Sequence, residues 1–125
     1  MSLHLPHDHG HNEIEEILAT TKDDGSFSAI AELFKQVADG TRLRIFWILC
    51  HSEECVINLS ALMNMSSPAV SHHLKLLKSA GLVTSRREEK EVYYKASDSE
   101  EARLLHNMIE ELGAIVCPDA SHFTH

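Results

Sequence analysis

A mainly α-helical fold with one small β-hairpin is what these 125 residues predict, on three observations. Apolar residues recur at i, i+3 and i+4 in successive runs along most of the chain, the spacing of helices that bury one face. Only one stretch, LVTSRREEKEVYYKAS, alternates around a charged turn in the manner of paired strands. Length and composition, 43% apolar and 24% charged, fit one domain with a buried core and not a disordered chain.

Residues 1–12, MSLHLPHDHGHN, carry His4, His7, His9 and His11 beside Pro6 and Gly10 without periodicity, and read as a His-rich flexible arm. A first helix is expected from Asn12, which with Glu15 forms a capping-box pair, through Ile14, Ile17 and Leu18 to about Asp23-Asp24-Gly25. Ser26 is the expected cap of a second, striped by Phe27, Ile30, Leu33, Phe34 and Val37 and ending near Asp39-Gly40. Thr41 opens a third, TRLRIFWILCHS, apolar almost all round and therefore central. Asn58 is positioned to cap a short helix, LSALMNM. After a short break, Ser66 or Ser67 caps another, with Pro68 in its first turn and Gly81 as its stop after Ala80. Strands follow at Leu82–Arg87 and Glu91–Ala96. A last helix starts near Asp98 or Ser99, aligns Ala102, Leu105, Met108, Ile109, Leu112, Ile115 and Val116, and stops before Pro118. The chain thus reads as an arm (1–12), a folded domain (13–116) and a tail (117–125).

A short helix, a tight turn and an amphipathic helix followed by a hairpin make a winged helix-turn-helix. On its second helix Val70, Leu74 and Leu77 oppose Ser71, His72, Lys75 and Lys78, with His73 bordering the apolar stripe. The net charge of −8 argues by itself against a polyanionic partner, but its distribution reverses that inference. Residues 66–95 hold Lys75, Lys78, Arg86, Arg87, Lys90 and Lys95 against Glu88, Glu89 and Glu91, a basic segment in an acidic chain. Ser67, Ser71 and His72 offer hydrogen bonds to base edges, Lys75 suits phosphate or guanine, and Lys78 on the same polar stripe is a further DNA-binding candidate. On the wing, Arg86, Arg87 and Lys90 suit backbone phosphates. Double-stranded DNA is therefore the expected partner.

The segments ADGTRLRIFWIL (38–49), EECVINLSALMNMSSPAVSHHLKLLKSAGLV (53–83) and EVYYKAS (91–97) together resemble the ArsR/SmtB family of winged-helix metal-sensing repressors. The resemblance implies a homodimer built on the first and last helices, a palindromic operator, and a regulatory metal that weakens DNA binding. It also implies where that metal is held. Cys55 matches the family's thiolate before the helix-turn-helix, although the usual neighbouring ligand is here Ile57 or Asn58. His7, His9 and His11 of the arm complete a tetrahedral set with Cys55, the first choice, and Zn²⁺ is the expected ion. The dimer-interface position of the last helix gives Asp98, Glu100, Glu111 and Ala114, where both expected histidines are glutamates and the fourth donor is missing. In the tail, Cys117, His122 and His125 with His106 form an alternative set suited to Ni²⁺ or Co²⁺. His106 and Glu110 stand at i and i+4, a spacing that can chelate and that is common between solvated neighbours.

Three cysteines, Cys50, Cys55 and Cys117, cannot all pair within one chain and point to a reducing cytoplasm. No stretch is apolar enough to span or enter a membrane. Cys50 belongs to the apolar third helix, and the wide cysteine spacing disfavours an arsenite site. No H-E-x-x-H or comparable constellation supports an enzyme. A thiol redox switch through Cys55 and Cys117, and a winged-helix interaction module without DNA binding, stand as alternatives.

Overall fold

The computed structural model describes residues 5–7, 13–20 and 25–123, and the chain divides into two units, Met1–Glu32 and Leu33–His125. The expected capping pair Asn12 and Glu15 falls partly outside the described residues. In the first unit, α1 (Glu13–Thr20) opens on three glutamates, where carboxylates complement the positive end of the helix dipole. It closes with Thr20 Oγ1 donating back to the carbonyls of Glu16 and Ile17. Helix α2 (Ser26–Val37) begins in this unit. Ser26 is its first residue and not its cap, because the Gly25 carbonyl accepts from Ala29 N–H at 2.9 Å.

The second unit holds the core. Helix α3 (Gly40–His51) starts one residue earlier than expected because Asp39 is the cap, its carboxylate accepting from Arg42 N–H at 2.9 Å. That bond holds the Asp39 carboxyl below its ordinary pKa. Ile45, Phe46 and Leu49 of α3 are buried against Leu59 of α4 (Val56–Met63) and Val70, Leu74 and Leu77 of α5 (Ser67–Ser79). Leu82, Val83 and Ala102 complete the cluster, with Leu33 and Val37 packed at its edge. Cys50 also packs there, as its place in α3 implied, and burial pushes its thiol up to about 12, with the Glu110 charge adding to the effect.

The helix-turn-helix forms from local signals. Helix α4 ends on Asn64 in the left-handed region (φ 53), which a short polar side chain tolerates, and Ser66 Oγ then accepts from Ala69 N–H to start α5. Pro68 sits in the first turn, and Gly81 (φ 75) ends the helix as expected. The expected cap Asn58 is instead inside α4, which begins two residues earlier. Its side-chain amide donates to Glu54 Oε2 at 3.1 Å.

The hairpin consists of β2 (Val83–Glu88) and β3 (Glu91–Ala96), paired antiparallel from Val83↔Ala96 to Glu88↔Glu91. A third strand was not expected: β1 (Glu54–Cys55) pairs antiparallel with β3, Glu54 opposite Tyr94 and Cys55 opposite Tyr93, giving the order β1-β3-β2. Helix α6 (Glu100–Val116) is capped by Ser99, whose hydroxyl accepts from Ala102 N–H at 3.1 Å. The joint between α5 and α6 is tied by hydroxyls. Ser97 Oγ donates to the Gly81 carbonyl at 2.8 Å, and Ser99 Oγ reaches the same oxygen at 3.4 Å. After α6, a single 3-10 turn (Ser121–Phe123) folds back so that Phe123 lies over Gly113, where a methyl group would overlap its ring. Among the described residues, no helix is long and apolar enough to cross a membrane.

Candidate nucleic-acid interface and metal-ligating cluster

Helix α5 has two chemically opposite faces. Val70, Leu74 and Leu77 are buried, whereas Ser67, Ser71, His72, Lys75 and Lys78 are exposed on the other side. His73 lies between them and is partly buried. Its Nδ1 accepts from Arg42 Nε at 3.3 Å, and burial holds its pKa below the ordinary histidine value. Arg42 is itself buried and also donates to the Gln36 carbonyl, so this guanidinium links α2, α3 and α5. His73 is therefore a packing residue of the helix-turn-helix, and His72 is the imidazole left facing outward.

The cations of this region differ in availability. Lys78 Nζ donates to Ser85 Oγ at 2.7 Å, tying α5 to the start of the wing. Arg86 is held by Glu53 through Nε and Nη2, the shortest contact being 2.7 Å, and by Glu88 through Nη1 at 2.6 Å. Its guanidinium also lies 4.8 Å from the centre of the Tyr93 ring. These carboxylates raise the Arg86 pKa further, and hydrogen bonding to Arg86 holds the Glu53 carboxyl below its usual range. Arg86 therefore clamps the wing to the segment before β1. Lys75, Arg87 and Lys90 are exposed.

The expected metal ligands fall on several elements. Cys55 is partly buried in β1, and His7 is exposed in the first unit. His9, His11 and His125 lie outside the described residues. Asp98, Glu100, Glu111 and Cys117 are exposed, while His122 packs edge-on to Trp47 with ring centres 6.1 Å apart. Among the described residues, His51, His106 and Glu110 are the group whose ligand atoms converge, all within 4.8 Å of one another. Glu110 Oε1 is 3.2 Å from His106 Nε2 and 3.6 Å from His51 Nε2, and the two imidazoles meet edge-to-face with centres 5.1 Å apart. Trp47 Nε1–H donates to the same oxygen at 3.2 Å. The spacing of His106 and Glu110 is visible in the sequence. His51 is not, because it arrives from the end of α3, and only the packing of α3 against α6 brings it near.

A family model described as "Bacterial regulatory protein, arsR family" matches residues 39–85. The chain is 40% identical over 83 residues to a transcriptional repressor SmtB homolog of Synechocystis sp., covering 66% of this chain and 63% of that protein. It is 36% identical over 77 residues to a cadmium resistance transcriptional regulatory protein CadC homolog of Staphylococcus aureus, covering 61% and 64%. These matches thus span somewhat less than two thirds of each relative. Among solved structures, HlyU from Vibrio cholerae N16961 superposes with a TM-score of 0.63 at 34% identity, covering 77% of this chain and 99% of that one. The homodimeric winged helix-turn-helix DNA-binding domain of a possible ArsR-family regulator from Mycobacterium bovis superposes with a TM-score of 0.63 at 29% identity, covering 84% and 94%.

Proposed function

This chain belongs to the ArsR/SmtB family of winged helix-turn-helix bacterial regulators, and from that premise we propose that it is a homodimeric repressor released from a palindromic operator by a divalent transition metal, zinc first. The family is one of DNA-binding regulators and not of enzymes. The carrying observation is the exposed polar and basic face of α5, formed by Ser67, Ser71, His72, Lys75 and Lys78, on a helix whose other face is locked into the core. Side chains presented in that way reach base edges in a major groove, while Arg87 and Lys90 on the hairpin lie to hand for phosphates. Metal responsiveness is supported by the cadmium-resistance regulator among the relatives.

A second copy is supported by apolar surface that one chain leaves in solvent. On α6, Leu104, Leu112, Ile115 and Val116 are between 52% and 74% exposed, and Ile14, Ile17 and Leu18 of α1 are about half exposed. Large apolar side chains left exposed along a helix in this way mark an interaction surface.

The test is binding to a duplex carrying the chain's own promoter across a salt series, with and without Zn²⁺. Log K should fall linearly with log salt, and zinc should weaken binding by about 10²-fold, a difference of about 2.7 kcal/mol between the two dimer states. A binding isotherm that zinc leaves unmoved sinks the metal-release reading. No salt-dependent affinity at all favours the interaction module.

A further inference from the structure

We propose that His51, His106 and Glu110 form a divalent transition-metal site within one chain, bridging the C-terminal end of α3 and the middle of α6. The geometry already approximates a coordination shell. Metal–nitrogen and metal–oxygen bonds of about 2.0–2.1 Å at tetrahedral angles place ligand atoms about 3.3 Å apart. The two imidazole-to-carboxylate separations here are 3.2 and 3.6 Å. Two imidazoles and a carboxylate are a borderline donor set that suits Zn²⁺, Co²⁺ or Ni²⁺, and without sulfur it does not select Cd²⁺ or arsenite. The fourth position is left to solvent, because the His51 and His106 side chains remain 40% and 30% exposed while Glu110 is only 15% exposed.

The surroundings also orient the ligands. The Trp47 indole N–H donates to Glu110 Oε1, fixing the carboxylate from outside the shell as outer hydrogen-bond partners do in metal sites. The Trp47 ring lies 4.6 Å from that of His51 and limits how far this imidazole can swing. A bound ion would therefore tether α3, which carries the helix-turn-helix core, to α6, which carries the exposed apolar surface. Its regulatory part rests on the metal-release reading. Its metal-binding part does not.

The experiment titrates the full-length apo protein with Co²⁺ and with Zn²⁺, following Co²⁺ absorption and the emission of Trp47. The expected result is one ion per chain, d–d bands of a nitrogen–oxygen site, no thiolate charge transfer, and a change in Trp47 emission that saturates with the same ion. His106→Gln and Glu110→Gln should each weaken Co²⁺ binding by at least about 10²-fold, since even outer-shell changes in metal sites reach that size. His51→Gln is a third, more exposed ligand variant that serves if Glu110→Gln fails to fold. Cys55→Ser and His122→Ala should leave the Co²⁺ spectrum unchanged. A thiolate charge-transfer band, or Co²⁺ affinity unchanged in both His51→Gln and His106→Gln, overturns the site. The Zn²⁺-dependence of operator binding separates the two readings. Metal bound by the triad with no effect on operator binding keeps the site and removes its regulatory role. Zinc release retained in the triad variants and lost in Cys55→Ser keeps metal control and removes the triad from it.

Discussion

Lys75 and Arg86 show why cations of equal sequence merit separate. Lys75 is exposed on the polar face of α5, whereas Arg86 is already engaged by Glu53 and Glu88 and lies against Tyr93. Lys75→Ala should reduce the slope of log K against log salt by about 0.9, the share of one phosphate contact. Arg86→Ala should lower it by less, and a salt series on both variants distinguishes them. Arg42 is a different case because its guanidinium is buried between the Gln36 carbonyl and His73. Arg42→Met removes both hydrogen bonds from a buried site and should cost about 1–3 kcal/mol, read as a lower urea midpoint. His73 titrates in the same contact. Burial depresses its folded pKa, so below the unfolded value of about 6.5 the unfolded chain binds the extra proton and stability falls with pH. His73→Gln should remove that contribution, flattening the decline in urea midpoint as pH drops from above 6.5. None of these distinctions was legible from residue type. Six cations in one basic segment look alike until the fold places carboxylates, such as Glu53 from before β1, beside some of them.

At the scale of elements, α5 was the most readable feature because its signals are local. Ser66 caps it, Pro68 fits the first turn, Gly81 ends it, and its apolar spacing matches the face that is buried. The start of α4 and the strand β1 were not readable. β1 is two residues long and exists because Tyr93 and Tyr94 of β3 pair with it, which fixes Glu54-Cys55 as strand and moves the start of α4 to Val56, away from Asn58. The cluster of His51, His106 and Glu110 was only partly readable for the same reason, with two of its three members on one helix and the third supplied by tertiary packing. The tail offers an element-scale test. Gly113 is the notch that admits Phe123, so Gly113→Ala should displace the 3-10 turn while favouring helix α6 by up to about 1 kcal/mol of intrinsic propensity. Trp47, whose ring lies edge-on to Phe123 and His122, should report this as altered emission without a lower unfolding midpoint.

For the whole molecule, one copy is unfinished on its surface. Leu112→Asp with Ile115→Asp, both at exposed positions on α6, should leave the fold intact but give a monomer by sedimentation equilibrium, with operator affinity lost alongside. A dimer that persists in this variant places the interface elsewhere. The join at Gly81 connects α6, the helix of the proposed dimer surface, to α5, the proposed DNA-facing helix. One carbonyl at the exit of α5 is grasped by the hydroxyls of Ser97 and Ser99, which lead into α6, and the Leu82 carbonyl also accepts from Ser97 N–H at 2.9 Å. There is no slack linker at this corner to absorb a twist. A rotation of α6 by a fraction of a turn would therefore be expected to carry the foot of α5 with it, as in a stiff crank and not two beads on a string.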